Sequence, residues 1–173
     1  MNKIELIFKA TECNGWPKLK FYIDSDLIED YTFTSDEAKI EIPIDLMEGK
    51  HTLSVEFYGK TFKKQHTKVN SDNHIIQDQT VELVDIYVDN ILLPNFYKWL
   101  GVYEFDDQVY PQALLWGCNG IWKWGMEIPL ISWLLEKKIE HNEKYNKPDI
   151  SYRESCMIAQ QKIQKLENEL KNI

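Results

Sequence analysis

The aromatic side chains are the groups in this sequence most able to hold a ligand, and most of them lie in one stretch. Five of the six tryptophans follow residue 94, and Trp122, Trp124 and Met126 alternate as one face of a strand would. Exposed rings stack on sugars or bases and anchor protein partners, whereas buried rings fill a core. We expect most of these rings in the core and one or two at an interface. The candidates for glycan or partner contacts are Trp16, Tyr97, Trp99, Trp116 and Trp124.

A second candidate interface is a narrow apolar stripe near the end of the sequence. Ser151 and Glu154 match a capping box, which predicts that a helix begins there. The apolar residues that follow are spaced alternately three and four apart, as in the seam of a coiled coil. They are Cys156, Ala159, Ile163, Leu166, Leu170 and Ile173. Such a helix either joins copies of the chain or lies on the chain's own domain, and both interpretations stay open.

A phosphate-binding loop is excluded by the residues at its expected start. Gly59, Lys60 and Thr61 match the end of that motif, but the position that needs the first glycine is Ser54. The flanking residues alternate like a strand, and no helix follows to direct N–H groups at a phosphate. We interpret the motif as a turn between strands.

Metal-ligating patterns are also lacking. No two of the four histidines stand at helical ligand spacing, and the three cysteines form no CxxC pair. Carboxylates cluster from Asp24 to Asp30 and again from Asp72 to Asp89, without the central glycine and closing glutamate of a helix-loop-helix calcium site. We interpret both clusters as solvated acidic faces and expect no cofactor, with calcium as the alternative.

Catalytic signatures are missing from the sequence as well. No GxSxG, HExxH or Cys/His pattern occurs. Paired carboxylates act as acid and base only at a defined separation across a cleft, which a sequence does not reveal. The sequence therefore predicts a protein that is not an enzyme.

The charge of the chain argues against nucleic acid as a partner. Its 173 residues contain 20 Lys and Arg against 28 Asp and Glu, for a net charge of −8, whereas a nucleic-acid binder needs a basic surface. Most of the excess acid precedes residue 95. No apolar run approaches the roughly 20 residues of a membrane span, and the first residues do not form a signal peptide. We predict a soluble protein with free thiols that is made in the cytoplasm and either stays there or leaves by a route other than secretion.

The elements that must position these side chains are mostly strands. Apolar and polar residues alternate over 4–9, 19–23, 40–44, 51–58 and 81–91. Turn residues separate the segments, which predicts a mainly β protein, an antiparallel β-sandwich of jelly-roll type with a C-terminal α-helix. Pro43 predicts an edge strand or a strand end, and a phase break near Asp85 predicts a bulge.

The Trp-rich stretch is predicted to complete the sandwich as a hairpin, because Asn119-Gly120 can supply the two positive-φ positions of a tight turn. Glu104–Asp107 is interpreted as an acidic loop, and residues 131–138 as helical after Pro129. The predicted domains are a sandwich over 1–137, a linker over 138–150 and a helix over 151–173.

Part of the chain resembles the β-sandwich carbohydrate-binding modules of the calcium-dependent xylan-binding type. The similar motifs, within residues 3–93, are Gly15-Trp16-Pro17, Gly49-Lys50-His51-Thr52-Leu53-Ser54-Val55 and Val84-Asp85-Ile86-Tyr87-Val88-Asp89. The resemblance implies a sandwich with glycan as a ligand. The sugar-contacting loop of those modules has no residue-by-residue match here.

The order of motifs over residues 3–137 also resembles small β-sandwich proteins of tailed bacteriophages. The similar motifs are Gly49-Lys50-His51-Thr52-Leu53, Tyr58-Gly59-Lys60-Thr61, His74-Ile75-Ile76-Gln77-Asp78, Glu82-Leu83-Val84-Asp85-Ile86, Val88-Asp89-Asn90-Ile91 and Gly117-Cys118-Asn119-Gly120-Ile121-Trp122, continuing to Pro129 and Trp133-Leu134-Leu135. This resemblance implies a component of the virion, assembled in the host cytoplasm, with no catalytic residues.

Two functional hypotheses follow from these observations. The first is a non-enzymatic structural or decorating component of a bacteriophage virion. The aromatic hairpin and the C-terminal helix would hold it to itself, as a homo-oligomer, or to other virion proteins. The alternative is a glycan-binding module that uses exposed aromatic rings, with host-surface glycan as the partner.

Overall fold

A computed structural model describes residues 2–61 and 65–145 of the chain. These residues form two antiparallel β-sheets, a small two-stranded ladder and a helix that follows them. The predicted class, a mainly β antiparallel sandwich followed by a helix, is confirmed. The ladder pairs β6 (Thr67–Val69) with β7 (Ile75–Asp78).

The first sheet has the order β12–β8–β1–β4, with β9 added beside β8. Its strands are β1 (Asn2–Thr11), β4 (Glu37–Ile44), β8 (Thr80–Val88), β9 (Ile91–Leu92) and β12 (Leu115–Trp116). β4 lies at one edge, as Pro43 predicts. The register between β1 and β8 shifts where Ile7 pairs with Asp85 and Phe8 with Leu83, which confirms the bulge predicted near Asp85.

The second sheet has the order β11–β10–β13–β5–β2–β3. Its strands are β2 (Lys18–Ile23), β3 (Asp26–Thr32), β5 (Gly49–Tyr58), β10 (Val102–Phe105), β11 (Gln108–Pro111) and β13 (Gly120–Ile128). The segment predicted as an acidic loop, Glu104–Asp107, is instead the tip of a hairpin that joins β10 to β11. A two-residue turn at Asp106 and Asp107 leaves the flanking residues free to pair as strands.

Aromatic rings fill the core between the inner faces of the two sheets. Phe8 of β1 meets Phe21 of β2 with ring centroids 5.9 Å apart, and Trp116 of β12 meets Trp122 of β13 at 6.3 Å. All four side chains have 0% exposure to solvent. Because period-two alternation directs every second side chain inward, the two sheets bury these rings against each other.

The hairpin predicted at Asn119-Gly120 is wrong. β12 pairs with β8 in the first sheet, whereas β13 pairs with β5 and β10 in the second, so the chain crosses between sheets here. Neither Asn119 nor Gly120 has the positive φ that a tight two-residue hairpin turn requires. The Asn119 side chain instead accepts the N–H of Lys60 and donates to the Lys60 carbonyl, each at 2.8 Å. These bonds anchor the crossing to the end of β5.

A buried lysine ties the same crossing to two other segments. The Lys60 side chain is 1% exposed, and its Nζ lies 2.6 Å from Oδ1 of Asp78. It also donates to the carbonyls of Gln79 at 2.8 Å and Gly117 at 2.5 Å. Three acceptors thus match the three N–H groups of an ammonium ion. The ion links the end of β5, the β7–β8 junction and the chain between β12 and β13.

Helix α2 (Leu130–Tyr145) extends further than the sequence pattern predicts, and a one-turn helix α1 spans Asn95–Lys98. Residues 138–145, interpreted above as linker, are helical because their Lys and Glu side chains favour helix while carrying little apolar signal. The rest of the predicted linker and the predicted helix over 151–173, with its seam of Cys156, Ala159, Ile163, Leu166, Leu170 and Ile173, lie outside the described residues. No helix within those residues is long and apolar enough to cross a membrane.

A histidine–aspartate pair joins β5 to the β2–β3 turn and makes stability depend on pH. Nδ1 of His51 lies 2.8 Å from Oδ2 of Asp24, and Nε2 lies 2.9 Å from the Met47 carbonyl. Both partners are acceptors, so both ring nitrogens must donate, which favours the charged imidazolium. The hydrogen bond to Asp24, with a second to Met47, raises the pKa of His51 above its ordinary value.

We expect this pair to stabilise the fold in mildly acidic buffer, where His51 is protonated and Asp24 is still ionised, and to lose that effect as pH rises. A raised folded-state pKa contributes fully below the unfolded value of about 6.5, and the contribution disappears as pH increases through the folded-state pKa. Because the Asp24 side chain is 50% exposed, the effect should stay below about 1 kcal/mol. Urea unfolding across this range should show it in the natural chain, and His51→Gln should flatten it. If the free energy of unfolding changed equally with pH in both proteins, the raised pKa of His51 would be contradicted.

Candidate functional site

An open groove lies on the outer face of the second sheet, near the ends of β5, β10 and β13. Its volume is about 710 Å³. The lining combines carboxylates, amides, aromatic rings and backbone of the β10–β11 turn. The residues are Glu56, Phe57, Tyr58, Gly59, Glu104, Phe105, Asp106, Asp107, Gln108, Val109, Asn119, Gly120 and Ile121.

Strand register places two carboxylates of this groove in one row. Ile121 of β13 pairs with Glu56 of β5 on one side and with Glu104 of β10 on the other. Directly paired residues share a face of the sheet, and the next residues along, Phe57 and Trp122, are buried in the core. The row therefore faces outward, with an apolar side chain between the two acids.

Hydrogen bonds hold both carboxylates in position. The Tyr22 hydroxyl donates to Oε2 of Glu56 at 2.8 Å, and this bond raises the pKa of Tyr22 so that the phenol remains a donor. Nζ of Lys123 lies 2.5 Å from Oε2 of Glu104. Each acid keeps further lone pairs with which it can accept hydrogen bonds from a ligand.

Tyr58 supplies an aromatic ring whose orientation is determined on two sides. Its hydroxyl donates to Oδ1 of Asp30 at 2.6 Å, and Nζ of Lys20 lies 4.5 Å from the ring centroid. The bond to Asp30, together with burial, raises the pKa of Tyr58 to about 12. The phenol is therefore neutral in ordinary buffers, and the Lys20 ammonium lies over one face of the ring.

The rim of the groove is a turn built from two acids in an unusual backbone conformation. Asp106 and Asp107 have φ values of 52° and 57°, and both side chains are exposed. A two-residue turn of this kind is formed most readily by Asn-Gly, because residues other than glycine pay a steric cost at positive φ. The sequence thus places two carboxylates where other residues would form the turn at lower cost.

A second, smaller cleft adjoins the groove at Tyr58 and Gly59. Its volume is about 290 Å³. Its remaining lining comes from the segments before β2 and after β3, from the two strands themselves and from the β7–β8 region. These residues are Gly15, Trp16, Lys18, Thr32, Phe33, His66 and Gln79.

The five aromatic candidates from the sequence separate into buried and accessible rings. Tyr97 is 3% exposed, and Trp116 and Trp124 are 0% exposed, so these three cannot serve as glycan or partner contacts in this fold. Trp116 and Trp124 occupy inward positions of their strands, and Tyr97 lies on the buried side of the one-turn helix α1. Trp99 is 47% exposed but lines neither cleft. Trp16 is half-buried and lines the second cleft.

The groove residues themselves were missed by sequence reasoning. Alternation within β5 indicates that Glu56 and Tyr58 lie opposite the buried Val55 and Phe57, but outward polar residues are typical of any half-buried strand. Glu104 joins them only through the pairing of β10 with β13. A sequence pattern contains no signal for that long-range neighbour.

Asp24 and Asp30, from the first of the two acidic clusters considered for calcium, are used in contacts within the protein. Asp24 accepts the Thr52 N–H at 2.8 Å as well as bonding His51, and Asp30 accepts from Tyr58. Within residues 2–61 and 65–145, no group of three or more His, Cys, Asp or Glu side chains is arranged to hold a metal ion.

Comparisons with known proteins identify a fold likeness at low similarity. No family model matches the chain, and no curated protein matches it. A solved structure titled "vCBM60 in complex with galactobiose" is similar with a TM-score of 0.47 and 13% sequence identity, covering 71% of this chain and 97% of that chain. The sandwich assignment rests on the strand pairing described above.

Proposed function

We propose that the protein binds glycans in the groove on the outer face of its second sheet. The observation that carries the proposal is the combination, in one open groove, of an aromatic ring held in position with a row of fixed carboxylates. Sugar hydroxyls donate to carboxylate oxygens, and the C–H faces of sugar rings stack on aromatic rings. A concave site with a few convergent polar groups is the usual form of a ligand site.

The supporting contacts around the groove favour binding because they fix its groups in advance. Tyr22 holds Glu56, Lys123 holds Glu104, and Asp30 with Lys20 holds Tyr58. A ligand then loses less free energy to the ordering of side chains. This arrangement distinguishes the groove from a row of mobile, solvated acids.

The charge of the lining favours neutral glycans over acidic ones. Its acidic residues are Glu56, Glu104, Asp106 and Asp107, and no Lys or Arg among the residues that the structure describes lines it, although Lys123 pairs with Glu104 from outside the lining. A uronate or sulfate placed there would meet like charges, which is unfavourable in proportion to its burial. We therefore expect neutral oligosaccharides to bind and uronate oligomers to be rejected.

Glu56→Gln tests the proposal directly. The substitution retains the size of the side chain but removes a charged acceptor, whose hydrogen bonds contribute about 1.5–3 kcal/mol. We expect the affinity for the neutral oligosaccharides selected on a glycan array to fall at least tenfold in calorimetric titrations. The matched control is Glu41→Gln, on the edge strand β4 of the other sheet, which should bind as the natural chain does. A failure of every neutral glycan to bind, or equal affinities for Glu56→Gln and the control, would refute the proposal.

The role in a phage particle stays a prediction. The attachment predicted for that role uses an aromatic hairpin, which does not form, and a helix seam, which lies outside the described residues. Glycan binding is compatible with it, because a virion protein can attach to host-surface glycan. Mass spectrometry of purified particles tests the virion role separately, and a chain absent from the particles would exclude it.

A further inference from the structure

The groove and the smaller cleft lie along the same end of the second sheet, and they share the residues at their junction. Tyr58 and Gly59 line both the larger groove and the smaller cleft. Thr32, Lys18 and Tyr58 are paired in register across β3, β2 and β5. The smaller cleft is therefore in line with the groove, and the two together cross the strands of the sheet.

The junction is open because it is formed by a glycine. Gly59 has a φ of +79°, and a Cβ built on it would meet, within the described part of the chain, Cδ of Lys18 at 4.0 Å. A backbone in this conformation favours glycine, and the lack of a side chain leaves the path between the clefts clear. Tyr58 lies beside this path with its orientation fixed by Asp30 and Lys20.

The smaller cleft contains its own aromatic ring on an anchored segment. Trp16 lies between Gly15, whose carbonyl accepts from Nε2 of Gln79 at 2.8 Å, and Pro17, whose carbonyl accepts the Phe33 N–H at 3.1 Å. Gln79 is 2% exposed. Buried and strand-end partners on both sides thus hold the backbone that positions the Trp16 indole.

Donors predominate in this second cleft, whereas acceptors predominate in the groove. Nδ1 of His66 accepts the Thr61 N–H at 2.8 Å, so the ring proton lies on Nε2, which can donate to a ligand. Lys18 and the indole of Trp16 add N–H donors. A sugar hydroxyl can both donate and accept a hydrogen bond. One saccharide chain can therefore donate to the acceptors of the groove and accept from the donors of the smaller cleft.

We propose that the ligand is an extended oligosaccharide that occupies both clefts at once, lying across the strand ends over Gly59. The inference rests on the proposed glycan binding and adds the length and path of the ligand. The path from β2 to β10 crosses three strand spacings, or about 14 Å, which is longer than one sugar ring. A disaccharide fills the groove alone, and a hexasaccharide also reaches Trp16.

Chain-length dependence provides the test, with neutral xylo-, cello- and galacto-oligosaccharides as probes. We expect the hexasaccharide of the series that binds to have at least tenfold higher affinity than its disaccharide in calorimetric titrations. Trp16→Ala should remove most of this gain and leave disaccharide affinity unchanged, because Trp16 lines only the smaller cleft. Gly59→Asn, at the junction of the two clefts, should also remove most of the gain. Asparagine tolerates positive φ better than other side chains, and thermal unfolding will verify that both variants fold.

The possible results separate this inference from the function on which it rests. Equal affinities for the two lengths, or a gain that survives both substitutions, would overturn the extended path. If disaccharides still bound and Glu56→Gln still lowered their affinity, the proposed glycan binding would hold even though the extended path was wrong. If neither length bound in any series, the proposed function would itself fail.

Discussion

Replacing Lys60 with methionine should lower the free energy of unfolding by about 3 kcal/mol or more, measured by urea denaturation. The Lys60 ammonium lies between Asp78 and the carbonyls of Gln79 and Gly117, with a side chain that is 1% exposed. Methionine retains the apolar stem but removes all three donors. The Asp78 carboxylate, to which Thr67 still donates, and the two carbonyls then lose their charged donor, and this loss is costly.

Two further variants show whether the loss arises from the buried charge. Lys9→Met changes an exposed lysine, 57% accessible and paired with Glu37 at 3.7 Å, and should alter stability by no more than about 0.5 kcal/mol. Adding Asp78→Asn to Lys60→Met should recover part of the stability, because the remaining partner is then neutral. Equal stabilities for the Lys60 and Lys9 variants would show that the buried ion does not hold these segments together.

Trp116→Ala should destabilise the protein by about 3–5 kcal/mol, because it removes the ring that joins the two sheets. Trp116 stacks on Tyr103 with centroids 5.2 Å apart and planes at 8°, and it meets Phe8 at 6.0 Å. Its Nε1 donates to the Ala113 carbonyl at 2.9 Å. Truncation leaves a cavity bordered by large rings that cannot collapse into it.

The matched control for Trp116 is Trp99, which is 47% exposed. Trp99→Ala should change the free energy of unfolding much less, because no large buried ring is lost. Unfolding should be followed by circular dichroism, since both substitutions alter tryptophan fluorescence. If the two variants were equally stable, the assignment of Trp116 to the core would be wrong.

Local patterns in the sequence predicted most of the first sheet and part of the second. Alternation over 4–9, 40–44 and 81–91 corresponds to β1, β4 and β8, and the positions of Pro43 and Asp85 correspond to the edge strand and the bulge. β3 was not predicted, because its residues Asp26–Thr32 are mainly exposed and do not alternate between apolar and polar. An edge strand tolerates such residues since only one side of it is paired.

The candidate site was less accessible to sequence reasoning because it is assembled from distant strands. The sequence predicts Trp residues as ligand contacts. Most of these large rings instead fill the core of the sandwich. The site instead uses Glu56, Tyr58 and Glu104, whose residue types are common on any outward face. Only strand order brings β5, β13 and β10 side by side. Trp16 was predicted as a candidate, but its neighbours across the second cleft were not.

The place of β13 in the second sheet has a consequence for folding during synthesis. This strand lies at the centre, between β10 and β5, and all nine of its residues pair with β5. β5 ends at residue 58 and β13 begins at residue 120. About 60 further residues must therefore be synthesised before β13 can cover the edge of β5. Chains emerge from the ribosome at about 5–20 residues per second, which leaves the edge exposed for several seconds. We therefore expect this edge, rather than any surface of the finished protein, to be where newly made chains aggregate or recruit chaperones.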